Sequence, residues 1–266
     1  MTFIEHRHPN GVVYQTAPVI STRHGFSTRY GGVSRGYLRG LNLGEHRGDE
    51  PANVTENYRR FAEALGFDMD RMVFPHQVHG NAVRTVTAAD IHTLHTPVPY
   101  DADGLVTAER ELTLICFTAD CVPTLLCDAQ AGVIAAVHCG WRSSVADILG
   151  RALAAMQALG ARPERISAAI GPAIGRCCFE VGPEVTEAAA RWLGEPLGDL
   201  ASARGDRFLL DLRGANARRL RQLGLDPANI AVSSECTMCN PEKFWSHRVV
   251  GERRGSMAAA ITLPGD

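Results

Sequence analysis

Cys121, in FTADCVPTLLCD (residues 117–128), stands seventeen residues before His138, in VIAAVHCGWR (133–142), and Asp120 directly precedes the cysteine. A thiol so placed has three readings. It can be a small hydrophobe packed in a core, a nucleophile activated by the imidazole, or a metal ligand. The residues between bear on the choice. Written as antiparallel strands VPTLLC and VIAAVHC joined by the loop DAQA, they set Cys127 opposite Gly132 and, two residues at a time, Cys121 opposite His138. Directly opposed Cβ atoms lie about 4.5–5.5 Å apart. A cation with bonds of about 2.3 Å to sulfur and 2.0–2.1 Å to nitrogen bridges such a pair. A slip of one residue would send the two side chains to opposite faces.

A third ligand is available in FPHQVHGNAV, where His76 and His79 lie three residues apart beside a proline and a glycine. Such punctuation marks a loop able to project a histidine into a pocket. His79 with Cys121 and His138 gives a His₂Cys set with the fourth tetrahedral position open, the pattern of catalytic rather than structural zinc. Taken singly, each histidine is equally a loop residue, and the packed or nucleophilic cysteine stays open.

The elements that must position these residues are visible in the hydrophobic pattern. In DEPANVTENYRRFAEALG (49–66), Val54, Tyr58, Phe61 and Leu65 share one helical face, with Pro51 near the start and Gly66 at the end. After HCGWR, Ser143 or Ser144 can cap a helix running from Val145 to Leu159 before Gly160. Further helices are expected at 183–193 and 213–224, and strands at ELTLICFT, VPTLLC, VIAAVHC, ISAAIG, FLLDL and NIAVSSE. Val122, Thr124 and Leu126 share one face with Val133, Ala135 and Val137, so the hairpin reads as buried on both sides. Successive strands without intervening helices imply an α+β fold of mixed or antiparallel sheets with flanking helices. The Pro-containing stretch 92–104 is a loop too short to separate independent domains, so residues 1–266 read as one compact domain.

Composition narrows the partners. Charged residues make up 21% of the 266, with a net charge of −2, which leaves no basic field for nucleic-acid phosphates and no polybasic segment for lipid. No apolar run is long enough to span a bilayer, and the N-terminal residues lack the apolar core of a signal peptide. A cytoplasmic setting follows, in which the eight cysteines are packing residues, ligands or nucleophiles rather than a disulfide framework. The expected partner is a small molecule.

The segments HGFSTRYGGVS, LNLGEHRGDEPANVTENYRR, PHQVHG, DADGLVT, FTADCVP, VHCGWR, IGPAIGRCCFEVG, LDLRGAN and CTMCNPEKFWSHR follow one another from about residue 20 to the end. In this order they resemble the laccase-domain proteins, also called multicopper polyphenol oxidoreductases or peptidoglycan editing factors. The resemblance implies Zn(2+) on His79, Cys121 and His138. It also implies phosphorolysis of adenosine, inosine, guanosine or methylthioadenosine, deamination of adenosine, and a cleft between two pseudo-symmetric halves. The sequence departs from the family pattern at Cys139 and Ser143, where Ala and Gly are usual, and at Val249 and Ser256, where arginines are common. The latter pair leaves Arg248 as the better basic candidate of the C-terminal segment.

For that chemistry Arg29 and Arg142 are candidates to bind phosphate, because guanidinium donates a planar pair of hydrogen bonds while staying charged. Asn42 and Gln77 are candidates for ribose or base. Asp120 is a candidate to move protons or orient a histidine, provided the chain bends there, since strand neighbours point to opposite faces.

Other signals carry less. GVSRG (32–36) matches a nucleophile elbow but lacks the required strand before and helix after it. CTMC (236–239) is half of a zinc knuckle or a redox pair, with no second CxxC in the chain. NVT (53–55) is a glycosylation sequon only in a secreted protein. A multicopper cluster needs many histidines; this chain has ten, with one HxH at His6 and His8, so copper is reduced to a single adventitious Cu(2+) in the zinc site. Two rival functions stand beside the nucleoside enzyme: a Cys121–His138 hydrolase acting on peptidoglycan precursors, and a binding module without turnover.

Overall fold

A computed structural model describes residues 2–265. In chain order its elements are β1 (Ile4–Arg7), β2 (Val13–Thr16), β3 (Arg23–Ser27), α1 (Pro51–Leu65), β4 (Met72–Val73), β5 (Val83–Thr85) and β6 (Gly104–Thr107). There follow β7 (Thr113–Thr118), β8 (Val122–Asp128), β9 (Val133–Cys139), α2 (Trp141–Val145), α3 (Ile148–Ala158), β10 (Ser167–Ile170), β11 (Glu180–Val181) and α4 (Pro183–Leu193). The chain closes with β12 (Ala201–Arg204), β13 (Arg207–Leu210), α5 (Leu212–Gln222), β14 (Ile230–Val232), α6 (His247–Val250) and β15 (Met257–Thr262). The α+β class is as expected. One six-stranded sheet runs β1-β2-β3-β15-β7-β4, a second runs β14-β10-β8-β9-β6-β5, and β11-β13-β12 form a small third sheet.

The two large sheets lie face to face because their strands are apolar on both sides. Leu114 and Cys116 of β7 and Ala259 and Ile261 of β15 pack with Leu125 and Cys127 of β8 and Ile134 and Ala136 of β9. Side chains of alternate residues point the other way. Ile115, Ala258 and Ala260 meet Val54, Tyr58, Phe61 and Leu65 of α1. Val122, Leu126, Val133, Ala135 and Val137 meet Ile148, Leu149, Leu153 and Met156 of α3, with α4 and α5 beyond. The result is four layers: α1, sheet, sheet, helices.

Each large sheet repeats one pattern. β4 is parallel to β7, which is antiparallel to β15, which is antiparallel to β3. In the second sheet β5, β6, β9 and β8 repeat that order. The chain passes from the first sheet to the second twice along this seam: through residues 74–82 between β4 and β5, and through residues 119–121 between β7 and β8. His79 and Cys121 lie on these two crossings.

Two local expectations are corrected. The β8–β9 register is displaced by two residues, pairing Pro123 with His138 and Cys127 with Ile134 around a loop of residues 129–132. Because the displacement is even, Cys121 and His138 keep to one side of the ribbon. The helix expected from Val145 to Leu159 is instead two helices. Asp147 adopts a left-handed φ of 60° between them, and its carboxylate accepts two bonds of 2.7 Å from Arg219 and one of 3.0 Å from Trp192 Nε1. Those tertiary bonds outweigh the continuous apolar periodicity. Among the described residues no helix is long and apolar enough to cross a membrane.

Candidate metal centre

The two crossings and the end of β9 converge. The ligating atoms of His79, Cys121 and His138 all lie within 4.8 Å of one another. Cys121 Sγ is 3.8 Å from His79 Nε2, and the two imidazoles meet edge to face with centroids 4.9 Å apart. His138 is buried, Cys121 half-buried and His79 exposed, so the trio has a closed floor and an open mouth.

Asp103, just before β6, organises the trio from beneath. Its carboxylate is fully enclosed and accepts from His138 Nδ1 at 2.7 Å. It also accepts from the backbone N–H groups of Val78, His79 and Gly80 at 3.2, 3.0 and 2.8 Å. One anion thus fixes the ring of one histidine and the loop that carries the other. With Nδ1 bonded to Asp103, His138 Nε2 is the nitrogen left for a cation, the carboxylate–histidine arrangement of metal sites.

The backbone around the site is strained where it must turn. His79 and Asp120 both have positive φ, 59° and 89°, conformations that side chains with a Cβ adopt at a cost. The bend at Asp120 lets Cys121 face the histidines. Asp120 itself turns away: its carboxylate accepts from Thr237 Oγ1 at 2.5 Å, Ser246 Oγ at 3.0 Å and the Arg248 N–H at 2.7 Å. The carboxylate that orients a candidate ligand histidine is Asp103, and Asp120 ties together the neighbouring loops.

Charge inside the site is paired. Burial raises the Cys121 thiol, but His138 and then His79 outweigh it and bring it down to about 6. Burial opposes the charged form of His138, yet Cys121 and Asp103 hold it up to about 9. Burial likewise disfavours the Asp103 anion, and the His138 bond reverses that, keeping it below the ordinary carboxylate value. Without a cation the site holds a thiolate beside an imidazolium.

Gly140 leaves the room a cation needs. A Cβ there would stand 3.1 Å from His79 Cδ2, 3.5 Å from Cys121 Sγ and 3.6 Å from His138 Cε1. The one missing methyl group borders all three candidate ligands. A soft sulfur, two imidazoles, a carboxylate behind one ring and a vacant lining position together fit zinc.

The expected substrate contacts fare differently. Asn42 is fully buried, and its amide is bonded to Gly44, Asp49 and the Ser256 N–H. The Gln77 amide is bonded in both directions to the Phe117 backbone, at 2.9 and 2.6 Å. Both amides hold loops in place. Arg29 donates to the carbonyls of Pro241 and Arg39 and stacks 3.8 Å above Trp245, beside a pocket of about 500 Å³ that Tyr37, Val250 and Arg253 also line. Arg142 packs on Trp141, and exposed Arg248 donates to the Glu180 carbonyl at 3.3 Å. Ser34, in the GVSRG match, is buried, bridges to Gly40, donates to Asp49 and accepts from Asn57.

One further basic group was not singled out by the sequence: Arg254, which donates to His247 Nδ1, the Gly255 carbonyl and Ser256 Oγ. The half-buried guanidinium of Arg254 is lowered to about 10 by burial and by Arg47, against the opposing pull of Glu252, Asp120 and Cys121. Arg254 and Arg47 thus repel one another, and the Asp120 and Cys121 charges are among those that act on Arg254. Arg254 sits in GERRGS with no periodicity to mark it. Asp103, in DADGLVT, had only its place before a strand as a signal.

Residues 23–264 match the family described as "Multi-copper polyphenol oxidoreductase laccase". The chain is 41% identical over 256 residues to "Purine nucleoside phosphorylase" of Deinococcus radiodurans, covering 96% of this chain and 94% of that one. It is 36% identical over 243 residues to "Adenosine deaminase RL5" of an unknown prokaryotic organism, covering 89% and 92%. The crystal structure of YlmD from Geobacillus stearothermophilus superposes with a TM-score of 0.90 at 33% identity, covering 99% of this chain and 100% of that one. With its motifs, its sheets and its full-length likeness in agreement, the chain belongs to the multi-copper polyphenol oxidoreductase laccase family.

Proposed function

We propose that the chain is a zinc-dependent purine nucleoside phosphorylase that also deaminates adenosine, working at His79, Cys121 and His138. The observation that carries this reading is the convergence of those three ligand atoms within 4.8 Å. The relatives named for these two activities supply the substrate class. Zinc, were it held by these three residues, would supply Lewis-acid chemistry.

The chain's own residues account for the rest. Asp103 fixes His138 and the His79 loop, so the ligand set needs little rearrangement on binding. Arg254 and Arg47 offer positive charge to phosphate at the rim. In phosphorolysis a phosphate oxygen bonds to ribose C1′ while the C1′–N9 pair leaves on the purine, giving ribose 1-phosphate and, after protonation, the free base. In deamination water adds at purine C6 and ammonia departs. Both reactions use a nucleoside held at the exposed mouth beside His79. The substrates of this reading are adenosine, inosine, guanosine and methylthioadenosine, in a cytoplasm that keeps the thiols reduced.

Copper chemistry is less well supported. Among the described residues the histidines contribute to one ligand group, two of them with one cysteine, where a multicopper oxidase needs a histidine-rich cluster. A second reading does rest on a specific observation: the Cys121 thiolate and His138 imidazolium also describe a hydrolase nucleophile and its base, suited to peptidoglycan precursors. Metal content separates the two, since a thiolate tied to zinc is a poor free nucleophile.

Purified protein incubated with adenosine and phosphate, with and without chelator, is expected to give adenine, inosine and hypoxanthine only when zinc is retained. Cys121→Ala is expected to abolish all three products while far-UV dichroism stays unchanged. Full activity of the metal-analysed variant would overturn the assignment.

A further inference from the structure

The CTMC segment finds its missing half in space. β10 and β14 are parallel neighbours at the edge of the second sheet, so the loops that follow them run side by side, joined by a bridge between Ala173 and Cys236. The first loop carries Cys177 and Cys178, the second Cys236 and Cys239. All four sulfur atoms lie within 4.8 Å of one another.

The geometry points to a second metal site: Cys177, Cys178, Cys236 and Cys239 form a tetrathiolate that holds zinc, separate from the His79 centre and structural rather than catalytic. A tetrahedral ion with bonds of about 2.3 Å sets its sulfur ligands about 3.8 Å apart. Cys239 Sγ is 3.5 Å from Cys177 Sγ and 3.4 Å from Cys178 Sγ. Equal approach of one sulfur to two others suits a shared cation better than a disulfide, which draws two sulfurs to about 2.05 Å and leaves the others out. Four protein ligands leave no open position, as in sites that only hold structure.

The surroundings are shaped for it. The Gly175 N–H donates to Cys236 Sγ at 3.1 Å, the kind of outer hydrogen bond that orients a thiolate ligand. A Cβ on Gly175 would press on Cys236 Cβ at 3.1 Å, Cys177 Sγ at 3.2 Å and the Arg213 guanidinium at 3.0 Å. Arg213 in turn holds the Ser233 and Glu235 carbonyls at 2.7 and 2.6 Å, fixing the chain that leads into Cys236. Both loops also rest on Asp120, through the Ile174 N–H and Thr237 Oγ1. A cation here staples the two loops that brace the residue next to Cys121.

Zinc is counted by elemental analysis on protein purified under reducing, oxygen-free conditions and desalted. The unmutated chain is expected to carry two equivalents, Cys121→Ala one, Cys239→Ser one, and the double variant none. Cys239→Ser is also expected to lower the thermal midpoint, whereas chelation should not lower it further through this site. Because each variant reports on its own site, failure of the nucleoside reading leaves this count intact, and the reverse. Should Cys239→Ser not fold, Co²⁺ loading of Cys121→Ala decides the matter, with a strong multi-thiolate charge-transfer band expected. A single equivalent unaffected by Cys239→Ser, no such cobalt band, or a disulfide among the four in the reduced preparation would overturn the site.

Discussion

Asp103 Oδ1 and His138 Nδ1 are bonded at 2.7 Å in a place where the carboxylate has no solvent exposure. The same carboxylate holds three successive N–H groups of the His79 loop. Two candidate ligands, one on the crossing between the sheets and one at the end of β9, are thereby set against one anion, and the geometry of the candidate site depends on Asp103.

Asp103→Asn tests that role. Asparagine keeps one acceptor but turns an N–H₂ toward groups that are themselves donors, and it removes the charge facing His138. Loss of such an outer partner costs about 10–100-fold in metal affinity, so a zinc titration should weaken by that much. The His138 titration, followed by NMR in the metal-free protein, should move down from about 9, since Asp103 is one cause of the elevation. A merely structural role would lower the melting temperature without moving the imidazole.

Gly140→Ala separates space from strain. Gly140 has φ of −63°, which alanine adopts freely, so any effect comes from the added methyl group. That group meets His79 Cδ2 at 3.1 Å and must displace the exposed ring by a few tenths of an ångström. Zinc affinity and nucleoside turnover should fall on the order of tenfold, because small misplacements at a reacting centre cost this much or more. The melting temperature of the metal-free protein should hold. An unchanged zinc affinity would show that His79 is not held where the structure has it.

How much of this could be read from the sequence depends on whether a feature is local. α1 and α4 follow directly from apolar period and end residues, because Pro51 and Pro183 start them and Gly66 and Gly194 adopt left-handed caps. His79, Cys121 and His138 were reachable because a hairpin's parity survives a two-residue error in register. β15 was not: MAAAIT has little β-propensity, and its strand state comes from six buried positions between two partners. β1 escaped for the opposite reason, being mostly exposed and charged. The helix break at Asp147 depends on Arg219 and Trp192, far along the chain. The four-cysteine cluster needed the β10–β14 pairing, since Cys177-Cys178 is not a CxxC and gives no spacing signal.

Zinc binding should depend on pH with a sign that follows from the paired charges. In the metal-free site Cys121 titrates at about 6 and His138 at about 9, so between these values the pair holds one proton, on His138. A cation requires both ligands deprotonated and must displace that proton. Affinity should therefore rise about tenfold per pH unit from about pH 6 to 9, level off above, and fall more steeply below about pH 6. Competition titrations at several pH values, or proton release measured by calorimetry in buffers of different ionisation heat, check this. A flat profile between pH 6 and 9 would contradict the thiolate–imidazolium pairing.

Arg254→Gln should divide the two proposed activities. Phosphorolysis needs a bound phosphate, while deamination needs only water, so a group that serves phosphate alone affects one and spares the other. Removing a charge-assisted hydrogen bond costs about 2 kcal/mol, which corresponds to roughly thirtyfold in an equilibrium constant. The KM for phosphate should rise by about that factor, and the rate of inosine formation from adenosine without phosphate should stay within about twofold. Arg47→Gln should act the same way but more weakly, since Arg47 is also drawn 3.4 Å from Glu252. Equal losses in both reactions would show that Arg254 supports the local fold rather than phosphate, because Glu252, Asp120 and Cys121 are the negative charges that already act on it.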